Sequence, residues 1–409
     1  MKRSKKNMKK LTDLIQLETD RQNDGLELIA SENFASKEVR LICGSILTNK
    51  YAEGYPSKRY YGGCRYIDEI EQTAIDLVTN LFSCDYANVQ PHSGSSANMI
   101  AYASVLNHGD KILSLSLDQG GHLTHGSPVN FSSKQYAIVH YGLKNDGTID
   151  YEKLSEIAHR EKPQLVLAGF SSYPYQIDFE RIGKIAHDIG AIFMVDMAHI
   201  AGLIAAGQHP NPFPFADIVT STTHKTLRGP RGGIILTNSE ELIKKINFTC
   251  FPGMQGGPLE NIIGAKAQCF FEAAQPAYKD YIKQVLMNTK ECAAEFSRLG
   301  AEVSGTETHL FLLNTKKTYG ITGKEAEKML ENIDITVNKN MLPNDEEKPN
   351  TTSGIRMGFA ALTTRGLEEG GARQVARIIN AFFTKTISED EAKLEVANLA
   401  ATLLRVENL

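Results

Sequence analysis

The sequence predicts an α/β fold, with a mostly parallel central sheet carrying helices on both faces and a smaller α+β C-terminal domain after it. Three observations predict this. Short apolar runs closed by turn residues and followed by helical periodicity recur through the middle of the chain, as in stacked βα units. From about Pro276 that rhythm gives way to long polar helices with few strands between them. The composition, 42% hydrophobic and 22% charged with 33 glycines in 409 residues, belongs to an ordinary globular protein with a sizeable core.

In chain order, the first ten residues, MKRSKKNMKK, include six basic ones. A solvated, frayed terminus accounts for them better than a nucleic-acid arm or a targeting segment. No apolar stretch follows closely, which argues against a signal peptide, and no run approaches the roughly 18 apolar residues of a membrane span. Asp13 to Glu27 carries a helical pattern, and residues 1–50 form an N-terminal arm. Tyr51 to Gly63, rich in glycine and tyrosine, reads as an exposed loop at the start of a large domain, residues 51–276. Its strands are expected at Tyr86–Gln90, Lys111–Leu115, Gln164–Ala168, Ala191–Val195, Asp217–Thr220 and Gly233–Leu236. Residues 277–409 make the small domain, with a helix from Ala277 to Leu299 and strands near Leu310–Leu313 and Ile335–Val337.

A net charge of -4 provides no global field toward nucleic acid or membrane. The cysteines, Cys43, Cys64, Cys84, Cys250, Cys269 and Cys292, are scattered without a CxxC pair. Free thiols in a reducing compartment, the cytoplasm, are the expectation.

Chemistry concentrates where strands end, the usual place for active sites in such sheets. In Ile192-Phe-Met-Val-Asp-Met-Ala-His199 a buried strand ends in an acid, costly to bury unless a cation meets it. Alone, Asp196 is a helix cap or a satisfied core pair. In Asp217-Ile-Val-Thr-Ser-Thr-Thr-His-Lys-Thr226 a second strand runs into hydroxyls, His224 and Lys225. Alone, Lys225 is a surface lysine. Together they fit pyridoxal 5'-phosphate, whose chemistry needs a lysine for a Schiff base and a carboxylate to keep the pyridine nitrogen protonated. In Val89-Gln-Pro-His-Ser-Gly-Ser-Ser-Ala-Asn98, a small-residue turn enters a helix whose N–H groups suit a phosphate, although an ordinary N-cap explains Ser93 equally well.

With these anchors placed, the chain resembles serine hydroxymethyltransferase, a fold-type I pyridoxal-phosphate enzyme of the aspartate aminotransferase-like class. The resemblance runs over nearly the whole chain. The segments that carry it include Glu27-Leu-Ile-Ala-Ser-Glu-Asn33, Leu47-Thr-Asn-Lys-Tyr-Ala-Glu-Gly-Tyr-Pro56, Lys58-Arg-Tyr-Tyr-Gly-Gly63 and Gly120-Gly-His-Leu-Thr-His-Gly126. Val195-Asp-Met-Ala-His199, Thr222-Thr-His-Lys-Thr226, Phe251-Pro-Gly-Met-Gln-Gly-Gly-Pro258 and Ser353-Gly-Ile-Arg356 extend it. The resemblance implies interconversion of serine and tetrahydrofolate with glycine and 5,10-methylenetetrahydrofolate.

By the same resemblance Lys225 is the Schiff-base lysine, His224 beside it is a further catalytic residue, and Asp196 pairs with the pyridinium nitrogen. His122 stacks on the ring, and Ser171, His199 and Thr222 lie around it. Ser93, Gly94 and Ser95 bind the phosphate, joined by Gly257 of a second subunit. Arg356 takes the substrate carboxylate, as a planar guanidinium does bidentately, and Ser31 is a further substrate contact. Without the resemblance, Arg356 is a strand-edge salt bridge. Tyr51, Glu53, Tyr60 and Tyr61 form a loop given to a neighbouring subunit, which implies a homodimer with shared sites, or a tetramer. Glu53 is the natural proton handler near the serine hydroxyl, either as an acid or by positioning that hydroxyl, and folate lies against Leu117, Gly121, Leu123 and Asn340.

Three stretches depart from the family pattern: Phe359-Ala360, where the family usually has Thr-Pro, Ser172-Tyr-Pro-Tyr-Gln176, and Leu117-Asp-Gln-Gly120. The competing reading is a folate-independent pyridoxal-phosphate aldolase acting on threonine or other 3-hydroxy amino acids. A non-catalytic partner protein is disfavoured because Lys225, Asp196 and Arg356 all remain. The pairs His122/His125 and Asp196/His199 attract no further metal ligands by sequence, so no metal is expected.

Overall fold

The computed structural model describes residues 2–409, with side chains from Lys10 onward, so the expectation for the basic segment 1–10 lies almost wholly outside the described side chains. Helix α1, Lys2–Asp24, begins earlier than the Asp13 start predicted and stops short of Glu27. Leu26–Glu27 then leaves as a short strand.

Seven strands form the central sheet: β1 Tyr86–Asn88, β2 Lys111–Leu115, β3 Ala137–Tyr141, β4 Leu165–Ala168, β5 Ile192–Asp196, β6 Ile218–Thr222 and β7 Gly233–Thr237. Their order is β1-β7-β6-β5-β4-β2-β3. β7 runs antiparallel to both neighbours, and the other pairings are parallel. β4, β6 and β7 are buried along their whole length, as strands covered on both faces are; β4 and most of β7 are apolar, while β6 changes from Ile218-Val to the hydroxyls Thr220-Ser-Thr222 as it nears the cleft. The strand missed from sequence, β3, is the edge strand, and most of its residues are partly or fully exposed.

Two features of this sheet aim chemistry at one edge. β5 and β6 are neighbours with Asp196 opposite Thr220, so the segments that follow them emerge side by side. Gly169, just beyond β4, has φ +121°, and a Cβ there would fall 2.0 Å from the Asp196 carbonyl oxygen. Only glycine lets the β4 end pass that close. Helices α2, Arg65–Phe82, and α3, Gly94–Val105, flank β1, and α3 packs against β6 and β7.

After helix α4, Glu260–Ala273, the long helix α5, Pro276–Arg298, joins two hydrophobic cores. Its Tyr278 and Ile282 belong to the core of the large sheet, and its Cys292, Ala293 and Phe296 to a second core. That second core is built on an antiparallel sheet of β8 Leu310–Asn314, β9 Asn338–Asn340 and β10 Gly354–Gly358, with β10 in the centre. The arm joins it, since Leu26 and Leu28 are buried there and Leu26–Glu27 pairs in parallel with Ile335–Thr336. Arg365, 1% exposed, ties the arm to the C-terminal residues by donating to the carbonyls of Gln22, Asn23, Gly25 and Leu404. Those of Gln22 and Asn23 are among the last carbonyls of α1, which no intrahelical N–H can reach.

The departure at Phe359-Ala360 is buried. Phe359 is fully buried in the second core and precedes the short helix α6, Ala360–Thr364. Ala360 is the first helical residue, where proline is tolerated, so alanine keeps the same backbone path.

Beneath the Tyr51–Gly63 loop lies a buried charge network. Arg59 donates to Asp68 at 2.8 Å and to Glu71 at 2.5 Å, while Glu71 also accepts from Gln90 Nε2 at 2.8 Å. Glu260, 1% exposed, stands 3.7 Å from Arg59, but neither of its oxygens has a hydrogen-bond partner. Burial, reinforced by the Glu71 carboxylate, pushes Glu260 up to about 8, because Arg59 is committed elsewhere. A raised acid contributes stability in full below its ordinary value of 4.5 and loses it as pH rises through about 8. Glu260→Gln is therefore expected to match the wild type in denaturant titrations at pH 5 and to exceed it by roughly 1–3 kcal/mol at pH 9. Equal stabilities at pH 9 would show that Glu260 titrates normally.

Candidate active site

The C-terminal ends of β5 and β6, the entry to α3, the loop after β2 and the central strand β10 close around a cleft of about 390 Å³. Twelve of the residues picked from sequence line it. Ser93, Gly94 and Ser95 come from the α3 entry, His122 from the loop after β2, and Ser171 from the segment after β4. Asp196, His199, Thr222, His224 and Lys225 follow β5 and β6, and Ser31 and Arg356 arrive from the arm and from β10.

Asp196 is held as an anion. Its Oδ2 accepts from His125 Nε2 at 3.0 Å and Asn98 Nδ2 at 2.8 Å, and its Oδ1 accepts from the Ala198 N–H at 3.1 Å. Burial raises its pKa, but the His125 hydrogen bond and the positive ends of His125, His122 and Lys225 together bring it well below the usual carboxylate range. Asn98 is itself fixed by Thr220, which donates to its Oδ1 at 2.6 Å. His122 Nδ1 contacts the Thr124 hydroxyl at 2.8 Å, and burial lowers its pKa to about 4, which leaves a neutral ring at the cleft wall.

Lys225 is buried beside that carboxylate. Desolvation lowers its amine to about 8, opposed by Asp196 and assisted by the cations Arg356 and Arg231. A free base is therefore available near neutral pH, the form that attacks a carbonyl. Its backbone is pinned by the arm and α5: Asn33 Nδ2 donates to the Lys225 carbonyl at 3.0 Å and to Tyr281 Oη at 2.8 Å, and Tyr281 donates to the Ala360 carbonyl at 3.1 Å.

Ser93 caps α3, its hydroxyl accepting from the Ser96 N–H at 3.1 Å, so the capping role open in the sequence is real. Gly94 is required by the fit, since a Cβ there would lie 2.6 Å from Thr222 Cγ2. Thr222 Oγ1 and His224 Nδ1 are buried with no hydrogen-bond partner in the protein. Such atoms near free helix N–H groups and Arg231 mark a place for an anionic group.

Arg356 corrects the salt-bridge alternative. β10 is a central strand, and no carboxylate among the described residues lies within ion-pair distance of the guanidinium. Its Nη1 donates to the Ser171 carbonyl and its Nε to Asn338 Oδ1 at 3.1 Å. Burial lowers its pKa to about 10, and it remains a cation with no carboxylate paired to it.

The other sequence picks stand apart from this cleft. Tyr51, Glu53, Tyr60, Tyr61 and Gly257 gather on their own: Tyr51 Oη donates to Glu53 Oε1 at 3.3 Å, its ring meets Tyr61 edge-on at 5.0 Å, and a Cβ on Gly257 would lie 3.1 Å from the Tyr51 ring. Tyr60 packs edge-on against Phe251 and is largely exposed. Leu117 and Leu123 are exposed on the segment bearing His122, Gly121 closes its turn on the Ser116 carbonyl, and Asn340 ends β9. The departures Gln119 and Ser172–Tyr175 line a neighbouring cleft of about 340 Å³ with Met341 and Leu342.

Sequence reading passed over His125, Asn98, Arg231 and His309 as site residues. His125 had a signal, the second histidine of Gly-Gly-His-Leu-Thr-His, but was weighed only as a metal ligand. In the structure His122, His125 and Asp196 do converge, their possible donor atoms within 4.8 Å, where sequence spacing showed only pairs. His309 Nε2 lies 3.3 Å from His199 Nδ1, and both rings are kept neutral by burial.

The family model for serine hydroxymethyltransferase matches residues 4–379. The chain is 52% identical over 396 residues to the serine hydroxymethyltransferase of Lactobacillus gasseri, covering 95% of this chain and 96% of that protein. It is 56% identical over 363 residues to serine hydroxymethyltransferase 1 of Pseudomonas aeruginosa, covering 88% and 87% respectively.

In cofactor-free protein, capture of a simple aldehyde on Lys225, trapped by borohydride and located by peptide mass, is expected to rise with pH around a midpoint of about 8 instead of 10.5. Asp196→Asn should move the midpoint lower still, because that carboxylate is what holds the proton on. A midpoint at the ordinary lysine value would refute the buried, activated amine.

Proposed function

Since the chain belongs to the serine hydroxymethyltransferase family, its activity is serine hydroxymethyl transfer, and we propose that the cleft performs it with pyridoxal 5'-phosphate held on Lys225 and tetrahydrofolate as one-carbon acceptor. The observation that carries the residue assignment is the burial of Asp196 and Lys225 in one cleft with an unpaired Arg356. The cleft suits the cofactor: the buried, unpartnered Thr222 Oγ1 and His224 Nδ1 and the close-packed Gly94 fit a phosphate, and the anionic Asp196 fits a ring nitrogen. When bound, pyridoxal phosphate supplies an exchangeable carbonyl and an electron sink for the substrate Cα.

The chain's own groups divide the remaining work. Arg356 takes the amino-acid carboxylate, oriented by Ser171 and Asn338, with Ser31 beside it. Lys225 offers a free amine to exchange with the substrate amine. Asp196 keeps its charge because His125 and Asn98 saturate it, while His122 and His199 stay neutral around it. Ser93, Gly94 and Ser95 face the phosphate. Leu117, Gly121, Leu123 and Asn340 are the folate contacts in this reading, supported by the exposed apolar side chains of Leu117 and Leu123. No observation favours the aldolase.

Glu53 takes and returns the proton of the serine hydroxyl. Its place outside the cleft of its own chain, clustered with Tyr51, Tyr60, Tyr61 and Gly257, supports donation of this loop to the cleft of a second copy and hence a homodimer with shared sites. The division near Pro276 is supported by the two cores that α5 joins, and a cytoplasmic location by six free cysteines.

Pyridoxal phosphate is expected to give a visible absorbance band that Lys225→Ala lacks. Glu53→Gln should keep the band and its response to glycine while losing serine cleavage roughly 100-fold. Equal loss of glycine binding would remove Glu53 from proton handling. Co-expression of Lys225→Ala with Glu53→Gln chains should recover activity that neither variant has alone, and no recovery would refute shared sites.

A further inference from the structure

Outside the residues assigned above, helix α4 buries a second lysine. Lys266 is 1% exposed, and no carboxylate among the described residues lies within ion-pair distance of it. Its Nζ donates instead to three carbonyls, those of Val89 at 2.6 Å, Gly233 at 2.8 Å and Pro91 at 3.1 Å. Three donated bonds use all three protons of an ammonium group. Burying such a cation without an anion costs several kcal/mol, and burial lowers its pKa to about 7. The three carbonyls, which can only accept, favour the ammonium, and its retention calls for a physical reason.

The three carbonyls lie on the two chain segments that meet under the α3 entry. Val89 to Pro91 leads straight into Ser93-Gly94-Ser95, and Gly233 opens β7. The Gly233 N–H returns a bond to the Pro91 carbonyl at 3.0 Å. A Cβ on Gly233 would lie 2.2 Å from the Ser93 carbonyl oxygen, and one on Gly232 would lie 2.4 Å from Lys266 Cε. Two adjacent glycines thus leave room for the ammonium on one side and the turn on the other. From the far side, Gln90 is fixed by Glu71.

We propose that Lys266 is a positioning residue for the cofactor phosphate: its ammonium sets the backbone of the Ser93–Ser95 turn and places a positive charge beneath the helix N-terminus that receives the dianion. This rests on reading that turn as the phosphate site. A role in general folding would weaken all ligands alike, whereas a role at the phosphate discriminates between pyridoxal 5'-phosphate and phosphate-free pyridoxal.

The test measures binding of both compounds to the full-length apoprotein by fluorescence titration. Lys266→Met is expected to weaken pyridoxal phosphate about tenfold or more and pyridoxal by less than about twofold. Gly232→Ala, whose new methyl would fall 2.4 Å from Lys266 Cε and 3.1 Å from its Nζ and only brush Thr223 Oγ1 at 3.3 Å, should show the same selective loss and decides the matter if Lys266→Met does not fold. Equal loss for both compounds, or loss for neither, overturns the role of Lys266. A wild-type apoprotein that binds both compounds equally well overturns the phosphate reading of the turn, and the proposal with it.

Discussion

The bond between His125 Nε2 and Asp196 Oδ2, at 3.0 Å, resolves the constraint on which the site depends. A carboxylate and an amine buried in one pocket tend to neutralise each other as an ion pair, which would quench both. Here the carboxylate is satisfied by His125, Asn98 and a backbone N–H, so it is anionic without needing Lys225. The amine, left among Arg356 and Arg231, is free to lose its proton. Much of the local architecture serves this separation. Thr220 on β6 orients Asn98, Asn98 also donates to Thr124, and Gly169 permits β4 to crowd the backbone of Asp196. The sheet therefore does more than carry two groups to one edge, because the side chain next to each strand end decides which of them keeps its charge.

A second dependence runs between the two cores. Arg356 sits on the small sheet but donates to the Ser171 carbonyl of the large one, and Asn33, from the arm, holds the Lys225 carbonyl while leaning on Tyr281 of α5. The distance from the Arg356 guanidinium to the Lys225 amine is set by these few bonds across the seam. The same seam explains why Phe359-Ala360 is tolerated. What the seam uses there is a first-turn residue whose carbonyl meets Tyr281, and alanine offers that carbonyl as proline would, while Phe359 fills the second core.

The sheet was legible because strands buried on both faces carry short apolar runs, Leu165–Ala168 in β4, Ile218-Val219 in β6 and Ile234–Leu236 in β7, each bounded by turn residues or hydroxyls. β3 was not, because an edge strand shares its face with solvent and needs no such run. The resemblance of Val195-Asp-Met-Ala-His199 and Thr222-Thr-His-Lys-Thr226 to a known family carried the acid and the amine correctly into one cleft. His125 and Asn98 were passed over because their role lies in a partner 71 and 98 residues away, and no local pattern marks it. Lys266 is the extreme case. In a helix written Gly-Ala-Lys-Ala-Gln it looks like any surface lysine, and only the fold turns it onto three carbonyls.

The placement of Glu53 follows from the same economy of charge. Its loop is anchored by Arg59, whose guanidinium donates to the Ala52 and Gly54 carbonyls and to the buried Glu71, and Glu71 accepts from Gln90 next to the Ser93–Ser95 turn. One rigid network thus fixes both the turn that faces this chain's own cleft and the loop that stands away from it. If that loop completes the cleft of a second copy, each subunit's phosphate turn and its partner's acid are positioned by linked networks, and neither site can be assembled before both chains have folded. A flexible acid supplied by the same chain would need no such network. The buried Arg59–Glu71–Gln90 chain makes sense where a proton-handling group must be presented across an interface with the precision of a core residue.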